Sequence, residues 1–83
     1  MAHTDIDALI REEKRLEATE THREAWAEGV ASGIEPEIVA DAALATALSE
    51  YIRSEGEAAA LALIERMKSR IISGEIGPEF RHH

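Results

Sequence analysis

Apolar residues recur at helical spacing along most of the chain. They return every three or four residues, which is the period that places side chains on one face of an α-helix. Nowhere do β-branched residues alternate with polar ones between turn residues, as they would in a strand. Alanine, glutamate, leucine, arginine and isoleucine dominate, a mixture that favours helix. The pattern therefore predicts an all-α protein with three helices.

The first predicted helix covers about residues 5–28. We expect the Thr4 hydroxyl to cap its first turn, and the chain then continues without Gly or Pro as far as Gly29, which with Gly33 flanks the predicted stop. Large apolar residues mark its two ends, whereas positions of the same stripe in its middle are polar: Glu13, Thr19, Glu20 and Arg23. We therefore expect either a long solvated arm or a helix that pairs with a second copy.

The second and third predicted helices form an αα-hairpin. The second begins at Pro36, which suits a first helical position, and covers about residues 36–53. The third covers about residues 55–73 and stops at Gly74. At their junction, either Ser54 and Glu57 form a capping box or Gly56 closes the second helix in a left-handed conformation. Both alternatives leave a connection so short that the two helices must be antiparallel neighbours.

The hairpin carries most of the apolar side chains. Its second helix is apolar on more than one side, which is typical of the most buried helix in a bundle. Because two well-formed helices rarely make a stable monomer, we expect a helical-bundle homodimer. The residues expected to mediate self-assembly are Ile38, Leu44, Leu48, Ile52, Leu61, Ile64, Met67 and Ile71.

Composition limits the remaining possibilities. At 83 residues the chain is predicted to form one small domain, and its lack of cysteine excludes disulfides and Cys-ligated zinc. A formal net charge of −8 disfavours direct binding to nucleic acid. Without a secretory signal or a membrane-spanning run, the expected location is the cytoplasm. We expect residues 74–83 to be a flexible tail whose last residues are either native or part of an expression tag.

The residues that could carry chemistry are few. Five glutamates lie at helical spacing in the first helix: Glu13, Glu17, Glu20, Glu24 and Glu28. A dimer would double this stripe, which could then bind a hard cation, but the Glu-x-x-His pair of di-iron bundles is missing, so a solvated acidic face is favoured. No Gly-x-Ser-x-Gly or Ser-x-x-Lys motif occurs. We expect neither catalysis nor a cofactor.

These observations predict a small acidic helical protein that binds another protein, as an adaptor, accessory subunit or regulator. The residues expected to contact that partner are Glu20, Arg23, Glu24 and Trp26, with the single tryptophan as an anchor near the end of a weakly apolar helix. The alternative is an acidic nucleic-acid mimic that inhibits a DNA- or RNA-binding protein. A less favoured alternative is a metal-binding helical bundle based on the glutamate stripe.

Overall fold

The computed structural model describes residues 2–77, with side chains from residue 5 onward. These residues form three α-helices and no strand: α1 (Ala2–Ala31), α2 (Pro36–Glu55) and α3 (Glu57–Ile72). The all-α class with three helices is therefore confirmed for the described part of the chain. Most of the predicted tail, residues 78–83, lies outside the described residues.

The chain divides into two compact units whose boundary falls within α2. The first unit, Met1–Ala42, contains α1 and the first turns of α2. The second unit, Ala43–His83, contains the remainder of α2 and all of α3. A single domain, a bundle and a homodimer all stay predictions.

The first helix is longer than expected at both ends. It begins at Ala2, so Thr4 lies two residues inside the helix and the prediction that Thr4 is its N-cap is wrong. The helix also continues through Gly29 to Ala31. No proline precedes Thr4, and a single glycine costs a helix only about 1 kcal/mol, so neither end had to stop where the sequence suggested.

Gly33 ends α1 through a Schellman motif. Its φ of 95° lies in the region that glycine tolerates best. The Gly33 N–H donates to the Val30 carbonyl at 3.0 Å, and the Ile34 N–H donates to the Gly29 carbonyl at 3.3 Å. Two of the last carbonyls of α1 are thereby satisfied, and α2 begins three residues after Gly33. A second motif of this kind ends α3 at Gly74, whose φ is 87°.

The start of α2 packs closely against the end of α1. The Glu35 carbonyl accepts the N–H groups of Ile38 and Val39, at 2.9 and 3.1 Å, so the helix opens at Pro36 as predicted. A Cβ placed on Gly29 would lie 3.3 Å from Cγ2 of Val39. Gly29 is therefore a point of close approach within the first unit, rather than the edge of a loop.

Gly56 alone joins α2 to α3. Its φ of 97° and ψ of 163° belong to a region that is essentially restricted to glycine. The Gly56 N–H donates to the Ile52 carbonyl at 2.8 Å, and the Gly56 carbonyl accepts the Ala60 N–H at 3.2 Å. The same residue thus closes one helix and opens the next.

Neither alternative for this junction is correct in detail. Ser54 lies inside α2 and its hydroxyl donates to Glu55 Oε2 at 2.8 Å, so it forms no capping box with Glu57. Gly56 does close α2, but its ψ is extended rather than left-handed helical. Gly56 is both the residue after α2 and the N-cap of α3. Because glycine has no side chain, α3 has no side-chain cap.

Little of the described chain is buried. Ala60 of α3, 3% exposed, is its one buried hydrophobic residue, and four further residues at helical spacing are half-buried: Ala59, Leu63, Met67 and Arg70. No residue of α2 is buried in the single chain, and the burial of α2 in a bundle stays a prediction. In the second unit α2 has a single neighbouring helix, which can cover only one of its two apolar sides.

Candidate protein-binding surfaces

The first helix carries charges of opposite sign on opposite sides. Every side chain of α1 from residue 5 to residue 28 is exposed. With about 100° of rotation per residue, five glutamates fall within roughly 80° of the helix circumference. We call this set the acidic stripe: Glu13, Glu17, Glu20, Glu24 and Glu28.

Basic and aromatic residues occupy the other side of α1. Two adjoining shallow clefts, both open to solvent, lie along it between exposed side chains and share Arg15 as a lining residue. We call their lining the basic–aromatic face: Arg11, Lys14, Arg15, Ala18, Thr19, His22, Arg23 and Trp26. The face spans about 22 Å along the helix axis, since each residue adds about 1.5 Å.

Local hydrogen bonds orient two side chains of the basic–aromatic face. Arg15 Nη2 lies 3.0 Å from Glu12 Oε1, in an exposed pair of the kind that contributes little to stability. His22 Nδ1 lies 2.8 Å from the Ala18 carbonyl. Because a carbonyl oxygen only accepts, this nitrogen must carry the proton, and the ring presents Nε2 to a ligand. The face therefore offers the Arg15 guanidinium to an anion, whereas the exposed Nε2 of His22 is a hydrogen-bond acceptor in this tautomer.

The four predicted partner-binding residues do not form one surface. Arg23 and Trp26 line the same cleft, and Trp26 is 43% exposed. Glu20 and Glu24 belong to the acidic stripe on another side of α1. Four further residues line the cleft that contains Trp26 and were not predicted from the sequence: Arg15, Ala18, Thr19 and His22. Their spacing from Trp26 by three to four residues, or multiples of it, is the signal that could have found them.

A separate apolar surface lies on the second unit. Leu48 and Ile52 of α2 face Ala60, Leu61 and Ile64 of α3 across a cleft of about 120 Å³, which we call the hairpin cleft; Glu57 completes its lining. The apolar side chains at the rim of this cleft are exposed; Leu61, for example, is 62% exposed. Of the predicted self-assembly residues, Leu48 and Met67 are half-buried and the others are exposed: Ile38, Leu44, Ile52, Leu61, Ile64 and Ile71.

The described residues contain no assembled metal site and no bilayer-spanning helix. Nowhere among the side chains of residues 5–77 do three His, Asp or Glu groups converge as ligands. On a single exposed helix the carboxylates of the acidic stripe follow one another along the axis, instead of surrounding a point. Of α1, α2 and α3, none combines the length and apolarity that crossing a membrane requires.

No protein-family model, curated protein sequence or solved structure matches this chain. Its function is therefore argued from its own surfaces. These are the acidic stripe and the basic–aromatic face of α1, together with the hairpin cleft between α2 and α3 in the second unit.

Proposed function

We propose that the protein is a cytoplasmic, non-catalytic binding module that assembles as a homodimer and acts on a protein partner as an adaptor, accessory subunit or regulator. The observation that carries this proposal is the contrast between one buried hydrophobic residue, Ala60, and the many exposed leucines and isoleucines of the described chain. Contiguous exposed apolar surface is typical of protein–protein interfaces.

The hairpin cleft supports a second copy as the first partner. Leu61 and Ile64 of α3 stand beside Ile52 of α2 on the rim, and all three are exposed. A two-fold dimer uses the same patch on both subunits, and an apolar patch is complementary to itself. A second copy would therefore bury these side chains without requiring any other protein.

The described clefts also support binding rather than catalysis. A general acid or base acts best where the site excludes water and shifts its pKa. The two clefts of α1 lie on a helix whose side chains are exposed from residue 5 to residue 28, and the hairpin cleft is apolar apart from Glu57. Surfaces of this type suit a macromolecular partner.

Oligomeric state provides the test of this proposal. The unaltered chain should scatter light as a dimer at micromolar concentration, with an unfolding midpoint that rises with protein concentration. At this micromolar concentration Leu61→Glu should produce a helical monomer, because glutamate is a good helix former but places a charge at the centre of the interface. Leu16→Glu is the matched control, since Leu16 is similarly exposed, at 60%, but lies on α1.

The control distinguishes the loss of a specific hairpin interface from the effect of replacing any exposed leucine by glutamate. Leu16→Glu should retain the dimer and the concentration dependence. If the unaltered chain is a monomer whose midpoint ignores concentration, the homodimer is excluded. If both substitutions split the dimer equally, the hairpin cleft is not the interface.

The acidic stripe favours a second candidate function, a nucleic-acid mimic that inhibits a DNA- or RNA-binding protein. Its five carboxylates extend over about 22 Å, or about 5.6 Å per charge, on a fully exposed helix side. DNA places a charge every 3.4 Å along each strand, so the stripe has more than half that density. A partner captured from host lysate should then be released by high salt and by duplex DNA, whereas apolar docking should resist both.

A further inference from the structure

The two charged surfaces of α1 complement each other. The acidic stripe extends from Glu13 to Glu28 and the basic–aromatic face from Arg11 to Trp26, so each spans about 22 Å of the helix axis. They are opposite in sign and equal in length. They lie largely on opposite sides of one helix, where Arg15 pairs with Glu12 rather than with the stripe, so a second molecule is needed to bring the two surfaces together.

We infer that the α1 helices of neighbouring copies pair side by side, with the acidic stripe of one copy on the basic–aromatic face of the next. In this arrangement Arg11 and Arg15 bind carboxylates of the stripe, since a guanidinium matches a carboxylate with two parallel hydrogen bonds. The exposed ring of Trp26 packs on the aliphatic stems of the facing glutamates. The contact involves a different helix from the hairpin cleft and goes beyond the proposed homodimer.

The geometry of this contact sets its consequences. Each copy contributes one patch to one neighbour and a different patch to another, so the association is heterologous and continues into a ring or a filament. Its strength comes from several exposed ion pairs, each of which contributes little by itself. Added salt therefore weakens it, whereas salt has little effect on an apolar hairpin interface.

Charge substitution tests the pairing in full-length protein that also carries Leu61→Glu, so that the hairpin interface is removed from every sample. The measurements use low salt and concentrations well above micromolar, where contacts made of weak ion pairs form. The first variant, Arg11→Glu with Arg15→Glu, changes the summed charge of the basic–aromatic face from +4 to 0. The second variant, Glu20→Arg with Glu24→Arg, changes the summed charge of the acidic stripe from −5 to −1. Glutamate and arginine are both good helix formers, so circular dichroism should show an unchanged helix content.

Each variant should associate with itself more weakly, because it removes most of the attraction between the two surfaces and places like charges opposite one another at the substituted positions; sedimentation should show self-association weakened by about tenfold or more. An equimolar mixture should restore it, since each variant retains the patch that the other requires. Trp26, the single tryptophan, should report the same event by shifting its emission to shorter wavelength in the mixture. High salt should reverse both signals.

A matched control distinguishes the face from net charge alone. Arg66→Glu with Lys68→Glu changes the net charge by the same amount as the first variant but lies on α3. It should self-associate close to the level of the Leu61→Glu protein, apart from a uniform repulsion. A mixture that stays monomeric with unshifted Trp26 emission overturns the pairing, as does association that ignores salt. A Trp26 signal that changes with salt but not with concentration overturns it too, because the face would then be covered by its own chain.

Discussion

The first helix and the α2–α3 hairpin form the same secondary structure from very different side chains. Every described side chain of α1 up to residue 28 is exposed, and its surface is organised by charge. The hairpin contains the buried Ala60 and the half-buried Leu48, Leu63 and Met67. The comparison shows that helices with the same backbone can present two kinds of surface: charged residues cover α1, whereas a packed apolar seam joins α2 and α3.

The largest effect on stability is expected from a substitution in the packed seam of the hairpin. Leu48 is half-buried and lines the hairpin cleft, so Leu48→Asp removes apolar contacts and places a charge there. We expect a loss of about 2–3 kcal/mol in the free energy of unfolding, enough to unfold so small a chain rather than merely separate a dimer. Urea titration followed by circular dichroism measures it.

The same substitution on α1 is the control for the hairpin result. Leu9 is 66% exposed, so Leu9→Asp should change stability by less than about 0.5 kcal/mol. Equal losses from the two substitutions would mean that α1 is packed as tightly as the hairpin, and the contrast between the two regions would disappear.

The next effect concerns the single-residue junction of the hairpin. Gly56→Ala places a Cβ on a residue with φ 97° and ψ 163°, which should cost about 1–3 kcal/mol. The cost is conformational, because no heavy atom lies within 4 Å of where that Cβ would be. Thermal unfolding should show the loss, and unchanged stability would mean that this chain reversal has another conformation.

Hydrogen exchange would sharpen the comparison along the length of α1. Between Glu13 and Arg23 its only large apolar side chain is the exposed Leu16. In dilute, unassociated protein these amides should exchange about tenfold faster than those around Ala60, a difference of about 1.4 kcal/mol in local opening. Protection equal to that of α3 would contradict a solvated arm, and protection that increases with concentration would indicate pairing of α1 helices.

The smallest effect tests the close approach between Gly29 and Val39. Gly29→Ala should gain about 1 kcal/mol of helix propensity, but its Cβ would lie 3.3 Å from Val39 Cγ2, so the net change should be near zero. With Val39→Ala in the background the neighbour is shorter and the gain should appear. A double-mutant cycle in urea measures this coupling, and additive effects would show that the two residues do not touch.

Local signals made part of the fold predictable. Pro36 and Gly33 act through their own φ angles, so their roles could be inferred without knowing any neighbour. The bounds of α1 were harder to predict from the sequence. Thr4 does not require the helix to begin there, and Gly29 does not require it to end there. The candidate site was only half predictable: Arg23 and Trp26 share a cleft, but Glu20 and Glu24 lie on another side of the helix.

By itself, the sequence determined that this protein is helical, where α2 begins and where α3 stops, because propensity and glycine or proline geometry act within a few residues. Tertiary structure alone decided which apolar residues are covered. Ala60 and Leu61 are adjacent in sequence, yet the first is buried and the second is 62% exposed. Their burial depends on which side of α3 lies against α2, and that is a property of the packed hairpin which no signal within a few residues specifies.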